Sequence, residues 1–189
     1  MILKNIGLLN LQKQHIDYVY PFFIPMYDLF QDFVGRLLKN PKYYALPTKN
    51  DWSFRQEDRR ETESSAWWNS DKNKPIPIIP DIIAYTDYSH AKIHSILDAK
   101  YVDDDGISSD ILYQLAFYLR HYNRKIGYLI LPYDKKHPKK DYKITSIKQQ
   151  PLEIRVRHID IEETLGWIFK KSDENTKNIH DMLVGKFSI

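Results

Sequence analysis

Residues 79–101 read Ile-Pro-Asp-Ile-Ile-Ala-Tyr-Thr-Asp-Tyr-Ser-His-Ala-Lys-Ile-His-Ser-Ile-Leu-Asp-Ala-Lys-Tyr. Two apolar runs rich in isoleucine stand on either side of a polar break at Thr86–His90. Such runs bounded by turn residues predict a strand over Asp81–Tyr85, a turn, and a second strand over residues 92–101. Side chains alternate along a strand, so Asp98 and Lys100 share one face of the second strand and Leu97, Ala99 and Tyr101 the other. If the two strands pair antiparallel, Asp81 at the start of the first meets Asp98 near the end of the second. Two carboxylates and an ammonium then converge. Buried like charges repel, and a hard divalent cation with oxygen ligands removes that cost. The bland alternatives are a turn or cap role for Asp81 and a surface ion pair between Asp98 and Lys100, which contributes little to stability.

Working outward, residues 26–38 place Met26, Phe30, Phe33, Val34, Leu37 and Leu38 on one helical face, with Pro25 before and Pro41 after as start and stop signals. Residues 110–122 predict a second helix, capped by Ser108 or Ser109, with Leu112, Leu115, Ala116 and Leu119 on one face. Gly127–Pro132 is a continuous apolar run, the mark of a strand buried on both faces. Residues 152–161 alternate through Val156 and predict a strand nearer an edge. Residues 42–79 show no period and predict an extended or loop region, the natural place for an insertion. Residues 162–187 predict one or two short helices. A buried strand preceded by a helix argues for an α/β sheet with helices packed on it. At 189 residues the chain is expected to form one domain, 1–189, with its core at about 26–160.

Composition narrows the chemistry. There are no cysteines, which removes disulfides, iron–sulfur clusters and thiolate-bound zinc and fits a cytoplasmic protein. No segment reads as a secretory signal or a membrane span. With six glycines in all, and no GxxxxGK[ST], GxGxxG or GxSxG, a phosphate-cradling loop or nucleophile elbow is not expected. Charge is unevenly spread. Residues 120–157 carry 11 Lys/Arg against three acidic residues, and residues 61–119 carry 10 acidic against four basic. An acidic centre beside a basic flank suits a metal site next to a phosphate-binding surface, although uneven surface charge alone would look the same. His94 shares the Asp98 face by parity, where strand packing is the plainer role; His15, His121 and His158 show no zinc spacing. Trp67 and Trp68 suit packing better than base stacking.

The pattern Pro80-Asp81, then Asp98-Ala99-Lys100 on the next strand, resembles the PD-(D/E)xK nucleases. Gln114 and Tyr118, one turn apart on the following helix, look like the Q-x-x-x-Y motif of the RecB-like branch; polar residues one turn apart are also common on any helix. The fuller string, from YDLFQDFV at 27–34 through LDAKYV and SSDILYQLAFYL to GYLILP, resembles the C-terminal nuclease domain of McrC-type restriction subunits over about residues 26–160. The resemblance implies a restriction-endonuclease-like αβββαβ core with a central mixed sheet flanked by helices. It implies a Mg²⁺-dependent DNA endonuclease, Mn²⁺ substituting, with Asp81, Asp98 and the backbone carbonyl of Ala99 on the metal and Lys100 at the reacting water. Gln114 and Tyr118 would complete the catalytic set. DNA phosphates would lie on Arg120, Arg124, Lys125, Lys135, Lys136, Lys139 and Lys140. Where the family's first helix supplies a glutamate to the metal, this chain has Gln31, which brings an oxygen but no charge. The implied partners are DNA, a McrB-like AAA+ GTPase motor and, for double-strand cutting, a second copy of the chain; no membrane is implied. Two alternatives stay open: a catalytically weak nucleic-acid-binding or assembly module, and a RecB-like nuclease of repair or mobile elements.

Overall fold

A computed structural model describes residues 25–39, 53–56, 65–69, 74–86, 92–133, 141–146, 151–170 and 172–187. The elements are α1 (Met26–Lys39), β1 (Ser53–Gln56), β2 (Ser65–Asn69), β3 (Lys74–Pro77), β4 (Ile82–Tyr85), β5 (Ile93–Ala99), a 3₁₀ turn (Asp104–Gly106), α2 (Ser109–His121), β6 (Ile126–Pro132), β7 (Tyr142–Thr145), β8 (Glu153–Ile159), α3 (Ile161–Lys170) and α4 (Asp173–Phe187). One sheet of six strands runs in the order β1-β4-β5-β6-β8-β7, and β2 and β3 form a separate hairpin. β1, β4 and β5 pair antiparallel, β5, β6 and β8 parallel, and β7 closes the far edge antiparallel. With the hairpin set aside, α1, β1, β4, β5, α2 and β6 give the expected αβββαβ order and mixed sheet.

β6 explains its own sequence. It lies at the middle of the sheet, and Tyr128 and Ile130 join one buried cluster while Leu129 and Leu131 join the other. Both faces are covered, so no position on it is charged. The first cluster packs Phe30, Val34, Leu37 and Leu38 of α1 and Ile179, Leu183 and Phe187 of α4 against the sheet. The second packs Leu115, Tyr118 and Leu119 of α2 on the opposite face. The result is a three-layer arrangement with α2 on the side that carries Ile96 and, by parity, Asp98.

α2 is fixed at both ends. The Ser108 hydroxyl accepts from the Ile111 N–H at its start. At its end Asn123 takes φ 52°, the Arg124 N–H donates to the Leu119 carbonyl at 2.7 Å, and the Asn123 N–H donates to the Arg120 carbonyl at 3.1 Å. This is a Schellman closure, and it turns the chain directly into β6. Gly127 lets helix and strand approach. A Cβ there would lie 3.0 Å from Leu119 Cδ1 and 3.3 Å from Leu115 Cδ1.

Two parts of the architecture differ from the sequence expectation. Within residues 42–79, read as an extended or loop region without a period, Ser53–Gln56 forms an ordered strand against β4. Tyr142–Thr145 forms a further strand, which leaves β8 one position in from the edge. The C-terminal region holds two helices, as expected, and among the described residues no helix is long and apolar enough to cross a membrane.

Candidate functional site

The β4–β5 ladder sets the geometry. Ile82 pairs with Leu97, so Asp81, one residue before, falls opposite Asp98. The Ala99 N–H donates to Asp81 Oδ2 at 3.0 Å and pins that carboxyl at the strand end. Asp98 is fully buried. Lys100 stands just beyond β5, where its N–H donates to the Ile130 carbonyl at 2.9 Å and continues the parallel ladder with β6. Its side chain, 25% exposed, folds back so that Nζ donates to Asp98 Oδ1 at 3.2 Å and lies 3.0 Å from Oδ2. Backbone pairing on both sides of β5 therefore fixes all three groups.

Electrostatics mark the place as costly. Burial pushes the Asp81 carboxyl up to about 7, and the neighbouring Asp98 carboxylate pushes the same way against the Lys100 ammonium. Burial works against charge on Lys100, but Asp98 and Asp81 outweigh it and hold the ammonium above its ordinary value. The buried Asp98 Oδ2 accepts no hydrogen bond. Its charged contact is Lys100, so two neighbouring buried carboxyls share one ammonium, a balance that a further cation would complete. The donor set, two carboxylates and backbone carbonyls, suits a hard divalent ion and not a soft one.

α2 completes one side. Gln114 Nε2 donates to the Tyr118 hydroxyl at 3.0 Å. Burial raises the Tyr118 phenol; the Gln114 bond lowers it, and the charges of Asp98, Asp81 and Lys100 all reach it. The structure thus brings Asp81, Asp98, Lys100 and Tyr118 together, with Gln114 behind Tyr118. Gln31 is half-buried on α1, the helix whose Phe30 ring lies 5.8 Å from that of Tyr101, next to Lys100. Among the described residues no group of three His, Cys, Asp or Glu side chains is placed to hold a metal.

The basic flank is split. Arg120 and Lys125 are exposed and Arg124 is half-buried at the end of α2. Lys135, Lys136, Lys139 and Lys140 lie outside the described residues. Arg155 and Arg157 are interior groups. Arg155 pairs with Glu153 and donates to the Tyr128 hydroxyl at 3.1 Å, and Arg157 donates to the Lys186 carbonyl at 2.6 Å. Both guanidinium groups also lie over the Tyr128 ring, 5.6 and 5.7 Å from its centroid. They hold β8 to β6 and α4, so they are spent on structure. His94 is half-buried; burial, then Arg124, Arg155 and Lys92, lower it to about 4, so it is neutral near pH 7.

One polar cluster escaped the sequence reading. His158 on β8 places Nε2 3.0 Å from Asp104 Oδ2 and Nδ1 3.4 Å from Asp141 Oδ1, and its backbone N–H donates to Asp141 at 2.9 Å. Lys186 Nζ donates to Asp141 Oδ2 at 3.1 Å. These residues come from four separate parts of the chain, and no local motif announces them. The cluster ties the turn that follows β5 to the far half of the sheet.

A family model described as McrBC 5-methylcytosine restriction system component matches residues 1–133. No curated protein matches the chain. Among solved structures, a chain of the tetradecameric assembly of Thermococcus gammatolerans McrB AAA+ hexamers with bound McrC is similar in fold, with a TM-score of 0.56 and 21% identity. The match covers 87% of this chain and 34% of that one, so this chain spans about a third of the solved chain's length.

Proposed function

Because the chain belongs to the family of McrBC 5-methylcytosine restriction system components, we propose that its Asp81–Asp98–Lys100 site hydrolyses DNA phosphodiester bonds with Mg²⁺, as the cleavage component of such a system. One observation carries this reading: two carboxyls face each other across the β4–β5 ladder, and a single ammonium, Lys100 Nζ, 3.2 and 3.0 Å from the two Asp98 oxygens, stands against both charges. Asp81, Asp98 and the Ala99 carbonyl are the groups that would hold the ion. When bound, the ion would polarise a phosphate oxygen and acidify a water.

The chain's own residues supply the rest. Lys100 keeps its charge through its contact with Asp98, so it acts by stabilising negative charge on the phosphate and by orienting water. Tyr118, steadied by Gln114, presents its hydroxyl beside the same point. Arg120, Arg124 and Lys125, with Lys135, Lys136, Lys139 and Lys140, would bind flanking phosphates, which makes binding weaken steeply with salt. The partner of such a subunit is a McrB-like AAA+ motor, and a single site needs a second copy, or a second encounter, to cut both strands.

Plasmid incubated with Mg²⁺ or Mn²⁺ tests the reading by comparing wild type with Asp98→Ala and Lys100→Ala. Metal-dependent cutting that survives both substitutions removes the assignment. A second reading, a DNA-binding or assembly module with weak catalysis, rests on the uncharged Gln31 on α1 and on the lack of a third acidic ligand among the described residues. DNA binding by a wild type that never cuts, with or without the AAA+ partner, selects it.

A further inference from the structure

We propose that the exposed face of α2 is a stacking track for unpaired bases of a single strand leading to the site; this rests on the nuclease reading above. Tyr113, Phe117 and His121 recur every four residues and so lie along one stripe of the helix. Tyr113 is 71% exposed and Phe117 38%. Single exposed aromatics need no explanation, but a stripe of them does. The stripe is continuous with the site. The Phe117 ring lies 6.3 Å from the Tyr118 ring, and the His121 ring stacks on Phe117 at 6.4 Å with an 18° interplanar angle.

The charge around the stripe selects the occupant. Arg120 and Lys125 are exposed at its C-terminal end, with Arg124 beside them. Asp103, Asp105 and Asp110 precede or open its N-terminal end, with Asp104 turned to His158. A polyanion is therefore held at the C-terminal half and repelled beyond Tyr113, which gives the track a direction. Rings flanked by cations bind the faces of bases and the phosphates between them. In duplex DNA those faces are covered by the neighbouring pairs, so the ligand that fits is an unpaired strand. An apolar protein partner would use the rings but not the cations.

The test is fluorescence anisotropy of a short labelled oligonucleotide, single-stranded or annealed to its complement, with the full chain in EDTA. Phe117→Leu keeps an apolar side chain and removes the ring; Tyr113→Leu does the same one turn earlier. Each should weaken single-strand binding roughly tenfold and leave duplex binding within about twofold. Phe117→Trp should restore the single-strand affinity. Unchanged single-strand affinity, equal loss on both forms, or no rescue by Trp overturns the track. So does a Phe117→Leu protein that keeps its single-strand affinity but loses a AAA+ partner. Plasmid cleavage with Mg²⁺ in the same preparations separates the two readings: cutting by wild type with single-strand affinity indifferent to both rings sinks the track alone, and a wild type that neither binds nor cuts sinks the nuclease reading with it.

Discussion

Asp81 and Asp98 face each other across the end of an antiparallel ladder, and the Ala99 N–H, one residue beyond Asp98, holds the Asp81 carboxyl in place at 3.0 Å. The backbone, not the side chains, forces the two acids together, because the Ile82–Leu97 register sets Asp81 opposite Asp98. Lys100 offsets one charge through its contacts with Asp98. Burial and the Asp98 charge therefore favour a proton on Asp81, which a further cation would displace.

That balance predicts opposite effects of one substitution on stability and on cleavage. Asp81→Asn keeps an oxygen for the Ala99 N–H and removes the repulsion. In EDTA at pH 8 its melting temperature should rise by a few degrees, about 1 kcal/mol. The rise of wild-type melting temperature on adding Mg²⁺ should vanish in the variant, and so should plasmid cutting. Differential scanning fluorimetry with and without metal checks all but the last, and equal melting shifts in the two proteins would refute it.

Lys100 is expected to act on the reaction more than on the fold. Its side chain is part exposed and its partner Asp98 is not. Lys100→Met should slow cleavage by about a hundredfold to a thousandfold, in line with losing one group that stabilises transition-state charge. Metal-induced stabilisation should persist, because Asp81 and Asp98 remain. Cleavage within tenfold of wild type would mean that Lys100 serves only to neutralise Asp98.

Gly127 predicts a purely structural failure beneath the site. Gly127→Ala puts a methyl 3.0 Å from Leu119 Cδ1 and 3.3 Å from Leu115 Cδ1, and both leucines are fully buried. The leucine side chains must give by a few tenths of an ångström in a fully buried, close-packed layer, at a cost of about 1–3 kcal/mol. Chemical denaturation should show that loss. Tyr118 rides on the same helix, so cleavage should fall as well, while Gly166→Ala, with open space around its Cβ, should change neither.

What the sequence made legible follows the range of the interactions. The paired strands around Asp81 and Asp98, the capped helix carrying Gln114 and Tyr118, and the doubly buried β6 each write a local period or cap signal. Ser53–Gln56 and Tyr142–Thr145 are too short to show a period, and each becomes a strand only because a neighbour offers a free edge. Arg155 and Arg157 count toward the basic flank of residues 120–157, but Tyr128 and Lys186, to which they donate, lie far along the chain. The Asp104–His158–Asp141 contact spans 54 and 17 positions and leaves no local trace at all.

That contact gives the last prediction, a pH window for stability. Both ring nitrogens of His158 face carboxylates, and only the imidazolium can donate to both. The Asp141 bond raises the His158 pKa against burial, with Asp104 adding to it. A raised folded value means that its stabilisation is complete below the unfolded value near 6.5 and is lost as pH rises through the folded one. Asp141 has the opposite sign. Burial works against its charge, but the His158 and Lys186 bonds bring it down to about 2, so its contribution is present above 3.8 and is lost as pH falls toward 2. Metal-free melting temperature should therefore peak between about pH 4 and 6.5 for this pair and decline above it. His158→Gln should flatten the decline above pH 6.5 and lower the plateau by about 1–3 kcal/mol. It should leave the response to Mg²⁺ intact, because neither Asp81 nor Asp98 belongs to the contact. A variant whose melting curve still falls as steeply as wild type between pH 6 and 9 would show that some other group sets the alkaline limb.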